Sequence, residues 1–80
     1  MGRVVTTWDT NKPFTVGNDQ IEFWIPDGEC VRPVISVDGT KYEDIFGWIW
    51  GGQHVILSCI PCSTYIKLRS LKDFKIKILK

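Results

Sequence analysis

Four side chains carry soft-metal or redox chemistry: Cys30, His54, Cys59 and Cys62. Cys59-Ile60-Pro61-Cys62 is a Cys-x-x-Cys turn, and such a knuckle can bring two thiolates onto one ion. With Cys30 and His54 the set reaches the four thiolate and imidazole ligands of a tetrahedral zinc site. A zinc clip would also stabilise a chain with a small core. Spacing argues the other way. His54 and Cys59 are an odd number of residues apart, so on one flat strand they face opposite sides. Only a bulge or twist would bring them together. The expectation is therefore no cofactor and three small packing thiols, with zinc as the alternative.

The same motif has the Cys-x-Pro-Cys form of dithiol oxidoreductases. Those sites set the first thiol at a helix N-terminus, which lowers its pKa. Here the residues after Cys62 alternate with strand period, and too few follow to build further strand and helix units. Thiol redox chemistry at Cys59 and Cys62 is the one enzymatic alternative to an otherwise non-catalytic chain. Ser58 and Ser63 lie near the single histidine, but neither sits in a nucleophile elbow. Gly47 and Gly51-Gly52 lack the lysine of a phosphate loop.

Aromatic residues carry the stronger lead. Trp8, Trp24, Trp48 and Trp50 are four tryptophans in a chain of 80 residues. A core of this size cannot easily hide them all with four phenylalanines and two tyrosines. Exposed tryptophan is a typical interface anchor, since it buries a large area at small entropic cost. Trp24, Trp48, Trp50 and Tyr65 form the expected protein-binding set. Basic residues gather at the C-terminus. Lys67 and Arg69 share one face of a strand, and Lys75 and Lys77 share a face of the next. If those strands pair, they make one cationic face, with Tyr65 on it, suited to an acidic partner or to single-stranded nucleic acid. Against dedicated nucleic-acid binding stands the net charge of only +1. Lysines on an edge strand also serve simply to block aggregation.

The elements that must position these groups read mostly as strands. Residues 3–8, 20–25, 30–37, 53–59, 64–69 and 74–79 are β-branched, aromatic or alternating. Ile21, Phe23 and Ile25 share one face; Ile66 and Leu68, then Phe74, Ile76 and Ile78, repeat the pattern, with Lys75 and Lys77 outward. Phe14 and Val16 fit a short strand within a turn-rich stretch. Pro26-Asp27-Gly28 and Asp38-Gly39 are turns. Pro33 has no N–H, so its strand should be an edge or carry a bulge there. Residues 53–59 are continuously apolar and read as a central strand. Residues 41–50 read as a helix: Thr40 and Glu43 form a capping box, Tyr42, Ile45, Phe46 and Ile49 fall at helical spacing, and Gly51-Gly52 can end it.

These elements imply a mainly β (β-rich α+β) single compact domain over residues 1–80. Its expected architecture is an antiparallel sheet of five to six strands curled into a partly open barrel or roll, with one short helix near residues 41–50. Composition agrees: apolar residues are 44% and charged residues 24%, which excludes a disordered chain. No apolar run approaches the roughly 20 residues of a membrane span, so no membrane partner is expected. Three cysteines, an odd number, and no apolar leader point to the reducing cytoplasm, or the host cytoplasm if the chain is viral. The expected function is a small intracellular protein-binding module, with an acidic-surfaced protein or a second copy as partner. Its size would suit a viral or mobile-element accessory or inhibitor protein. Single-stranded nucleic-acid binding and a small zinc domain are the alternatives.

Overall fold

In a computed structural model, which describes residues 4–16, 20–58, 60 and 64–79, the described residues form nine short strands. In order these are β1 (Val5–Asp9), β2 (Phe14–Thr15), β3 (Ile21–Trp24), β4 (Cys30–Ser36), β5 (Glu43–Asp44), β6 (Ile49–Trp50), β7 (His54–Leu57), β8 (Tyr65–Arg69) and β9 (Lys75–Leu79). Every pairing is antiparallel. One sheet runs β1-β9-β3-β7; the other runs β2-β8-β4-β5, with β6 on the opposite half of β4. The core lies between them. Ile21, Phe23 and Ile25 meet Ile76 and Ile78 from the first sheet, and Val31, Ile66 and Leu68 close over them from the second. Strand alternation explains this directly, because every second side chain turns inward and excludes water.

The sheets are joined at two corners. At one, β3 turns into β4 through a Pro26–Glu29 turn closed by the Glu29 N–H and the Pro26 carbonyl at 3.2 Å. Beside it β6 turns into β7 through Gly51-Gly52. The Gly52 N–H donates to the Ile25 carbonyl at 2.8 Å, and the Ile25 N–H donates to the Gln53 carbonyl at 2.9 Å. A Cβ on Gly51 would collide with the Pro26 and Glu29 carbonyl oxygens, so the close crossing demands glycine. At the other corner β1 turns into β2 alongside β8 and β9. There the Thr10 N–H donates to the Phe74 carbonyl and the Asn11 N–H to the Leu68 carbonyl. Asn11 adopts a left-handed φ of 65°, and its side-chain oxygen accepts the Ser70 N–H. Among the described residues the two sheets do not close into a barrel.

Several expectations change. Residues 41–50 hold no helix. The Asp38 carboxylate accepts the Thr40 N–H, which the Glu43 carboxylate of a capping box would have taken, and the Lys41 N–H beside it. Asp44 accepts the Gly47 N–H, and Gly47 sits at a left-handed φ of 83°, outside helical geometry. A helix of ten residues gains little alone. The open edge of β4 offers the same backbone a ladder, taken up by β5 and β6.

Pro33 explains why that edge carries two strands rather than one. Its carbonyl accepts the Ile45 N–H, so its nitrogen, which has no hydrogen, faces the same side. Glu43 and Asp44 pair with β4 beyond it, and Ile49 and Trp50 pair before it. Residues 45–48 loop out opposite Arg32 and Pro33. β4 itself is neither the edge nor the bulged strand expected: it runs unbroken in even register with β8, inside its sheet, and the break falls in the neighbouring β5–β6 edge.

The stretch read as a central strand, β7, is an edge of the first sheet. Conversely, β9 with Lys75 and Lys77 is flanked by β1 and β3, so those lysines protect no edge. The six stretches read as strands hold β1, β3, β4, β7, β8 and β9; the strands beyond these are β2, where Phe14 and Val16 suggested a short one, and β5 and β6, which stand where the helix was expected.

Candidate protein-binding groove

The β6–β7 segment is one continuous edge bent at Gly51-Gly52, and its two limbs enclose an open groove of about 510 Å³. Phe46, Trp48 and Trp50 line it from the first limb, His54 and Ile56 from the second. Ile49, Val55 and Leu57 lie deeper, against the core. A smaller hollow of about 200 Å³ shares Phe46, Ile56 and Leu57. The rim residues are large, apolar and open to water: Trp50 is 68% exposed, Phe46 62%, Ile56 52% and Trp48 40%. Contiguous exposed apolar surface of this kind makes the groove the candidate site.

Local chemistry explains the exposure. Ile49 pairs opposite buried Val31 and turns inward, so Trp50, opposite Cys30, turns outward. Phe46 sits in the looped-out residues opposite Pro33, where no strand alternation draws it inward. On β7, Val55 and Leu57 point to the core and leave His54 and Ile56 outside. Trp48 and Trp50 were legible as interface candidates. Phe46 and Ile56 were assigned by sequence to a buried helical stripe and a buried strand. Gly47 and Gly51-Gly52 were the available signal, since three glycines within six residues disfavour a helix.

Trp24 lies elsewhere. It is half-buried on the outer face of the first sheet, between Lys77 of β9 and His54 of β7 in the register. Its ring stacks on the His54 ring within 5° of parallel, with centroids 4.6 Å apart. The His54 Nε2 is 2.9 Å from the Glu22 Oε1. His54 thus belongs to a Glu22–His54–Trp24 cluster. Cys30 lies on the other sheet, with its carbonyl accepting the Ser70 hydroxyl and its thiol free. The structure does not bring His54 and Cys30 onto one face. Cys59 and Cys62, the other half of the zinc and redox readings, lie outside the described residues. Among the described residues no three metal-ligating side chains gather.

Tyr65 is exposed on the outer face of the second sheet, where its ring packs over Gly39. Lys67 and Arg69 share that strand, and the Lys67 ammonium sits 4.2 Å from the centre of the Tyr42 ring. Lys75 and Lys77 lie on the first sheet, and Lys75 pairs with Asp9. β8 and β9 do not pair, so the single cationic face expected from them is split between two sheets. None of these basic residues lines the groove. No helix of the described residues is long and apolar enough to cross a membrane. The chain matches no protein-family model, no curated protein and no solved structure.

Proposed function

We propose that the protein is a non-catalytic binding module that holds a protein partner in the groove between β6 and β7. The observation that carries this reading is the joined exposure of Phe46, Trp48, Trp50 and Ile56 around one trough. Seating apolar side chains there would remove this surface from water at roughly 25 cal/mol per Å² of apolar area, before the cost of association. Trp50 is the expected anchor, as the most exposed large aromatic beside the groove. The basic residues of β8 and β9 act at longer range, favouring approach of an acidic surface. The odd cysteine count favours a cytoplasmic setting.

A photo-crosslinking side chain at position 50 tests this in cells. Discrete protein adducts should form there and not from the same group at Val37, which is 86% exposed, follows the end of β4 opposite to Cys30, the partner of Trp50, and does not line the groove. Equal labelling from both positions would remove the groove as the binding surface.

A further inference from the structure

We propose that the groove's occupant is a second copy of this chain, joined by antiparallel pairing of β7 with β7 across a two-fold axis. The inference rests on the groove being the binding surface and names what fills it.

The backbone phase of β7 is set by its neighbour. The Ile25 N–H bonds to the Gln53 carbonyl, which extends the β3–β7 register by one residue. In an antiparallel ladder hydrogen-bonded pairs alternate with non-bonded ones. Val55 and Leu57 therefore bond to β3, while the N–H and C=O of His54 and Ile56 point away from it. No described strand pairs with that side. The close stacking of Trp24 on His54 fits a non-bonded pair, whose side chains approach most nearly.

This edge is short, but it carries none of the side chains that commonly block pairing. His-Val-Ile-Leu contains no lysine, carboxylate or proline, and it is flanked by apolar surface. It is also complementary to itself. With Val55 on the two-fold axis, His54 of one copy lies opposite Ile56 of the other, and each outward donor meets an acceptor. Val55 meets its symmetry mate on the core side, and no like charges oppose each other. The two four-stranded sheets become one continuous sheet, and each β7 enters the other's groove, as an isologous interface requires.

Native mass spectrometry and sedimentation equilibrium across a wide concentration range should show a reversible dimer. Ile56→Pro removes an outward N–H and spares the bonds to β3, so it should weaken dimerisation roughly tenfold or more while the circular dichroism is kept. Ile56→Lys, which keeps the N–H and adds a charge to the edge, should do the same, and Leu71→Ala should not. Hydrogen exchange needs no variant: the His54 and Ile56 amides should be protected in concentrated protein and exchange on dilution, with Val55 and Leu57 protected throughout. A wild-type chain that stays monomeric, or fast exchange at His54 and Ile56 at every concentration, overturns the pairing. So does a dimer that survives both Ile56 variants. A monomer that still crosslinks another protein from position 50 would remove the pairing and leave the groove standing.

Discussion

Trp24 and His54 face each other across β3 and β7 with their rings parallel within 5° and centroids 4.6 Å apart. The pair ties the edge strand to the interior of its sheet on the outer face, where Glu22 holds the imidazole from the same side. His54→Ala should lower stability by about 0.5–1.5 kcal/mol, the range for an aromatic pair. It should also change the near-ultraviolet circular dichroism of Trp24. Denaturant unfolding with both probes checks this; an unchanged spectrum would mean that the stack is not maintained in solution.

Gly51 and Gly28 make a controlled comparison. A methyl group at Gly51 meets two carbonyl oxygens of the neighbouring turn, whereas one at Gly28 meets nothing within 4 Å. Gly28→Ala incurs the backbone strain of a left-handed φ of 82°, about 1–2 kcal/mol. Gly51→Ala should destabilise more, because the corner joining the sheets must open. Paired urea melts decide the order, and equal losses would contradict the tight crossing.

Phe23 and Phe46 should separate core from rim. Phe23 is fully buried at the centre of the cluster, so Phe23→Ala should cost about 3–5 kcal/mol. That approaches the whole stability of about 5–15 kcal/mol typical of small domains, and the variant should be largely unfolded. Phe46→Ser should fall within about 0.5 kcal/mol of wild type, as exposed positions do, while weakening association at the groove. Thermal melts of the two variants provide the check.

Acid should destabilise the fold through three aspartates. Hydrogen bonds from the Thr40 and Lys41 N–H groups and the Ser36 hydroxyl hold the Asp38 carboxyl below its usual range. The Arg32 guanidinium and the Gly47 N–H do the same for Asp44, and Lys75 does so for Asp9. Each carboxyl is more acidic folded than unfolded, so the unfolded chain binds more protons as pH falls. The stabilisation is present above the ordinary carboxylate range and is lost on acidification through it and below. The melting temperature should be level near neutrality and decline below about pH 4. Asp38→Asn should give a shallower acid limb; an unchanged limb would show that the Asp38 turn does not contribute.

Much of the fold was legible from alternation. Ile21, Phe23 and Ile25, Ile66 and Leu68, and Ile76 and Ile78 all turn inward where their period-two spacing placed them. The short strand at Phe14 followed from local chemistry as well, whereas the missing N–H of Pro33 broke the edge beside β4 and not β4 itself. The candidate site was legible in part: Trp48 and Trp50 are on the groove's rim, while Trp24 stacks on His54 and does not line it.

The local code therefore determined the mainly β class, the inward faces and the turns, because side-chain period and missing donors act within a few residues. Tertiary structure decided which strands neighbour one another. That placed apolar β7 at an edge and lysine-bearing β9 inside a sheet, and it split the basic residues between two sheets. It also overrode the helical spacing of residues 41–50. A short helix is held by its own weak local bonds, whereas β4 offered those residues a ready ladder and Gly47 a break. The groove exists because that choice left Phe46, Trp48 and Trp50 facing Ile56 across a bend, a juxtaposition of distant side chains that no local period encodes.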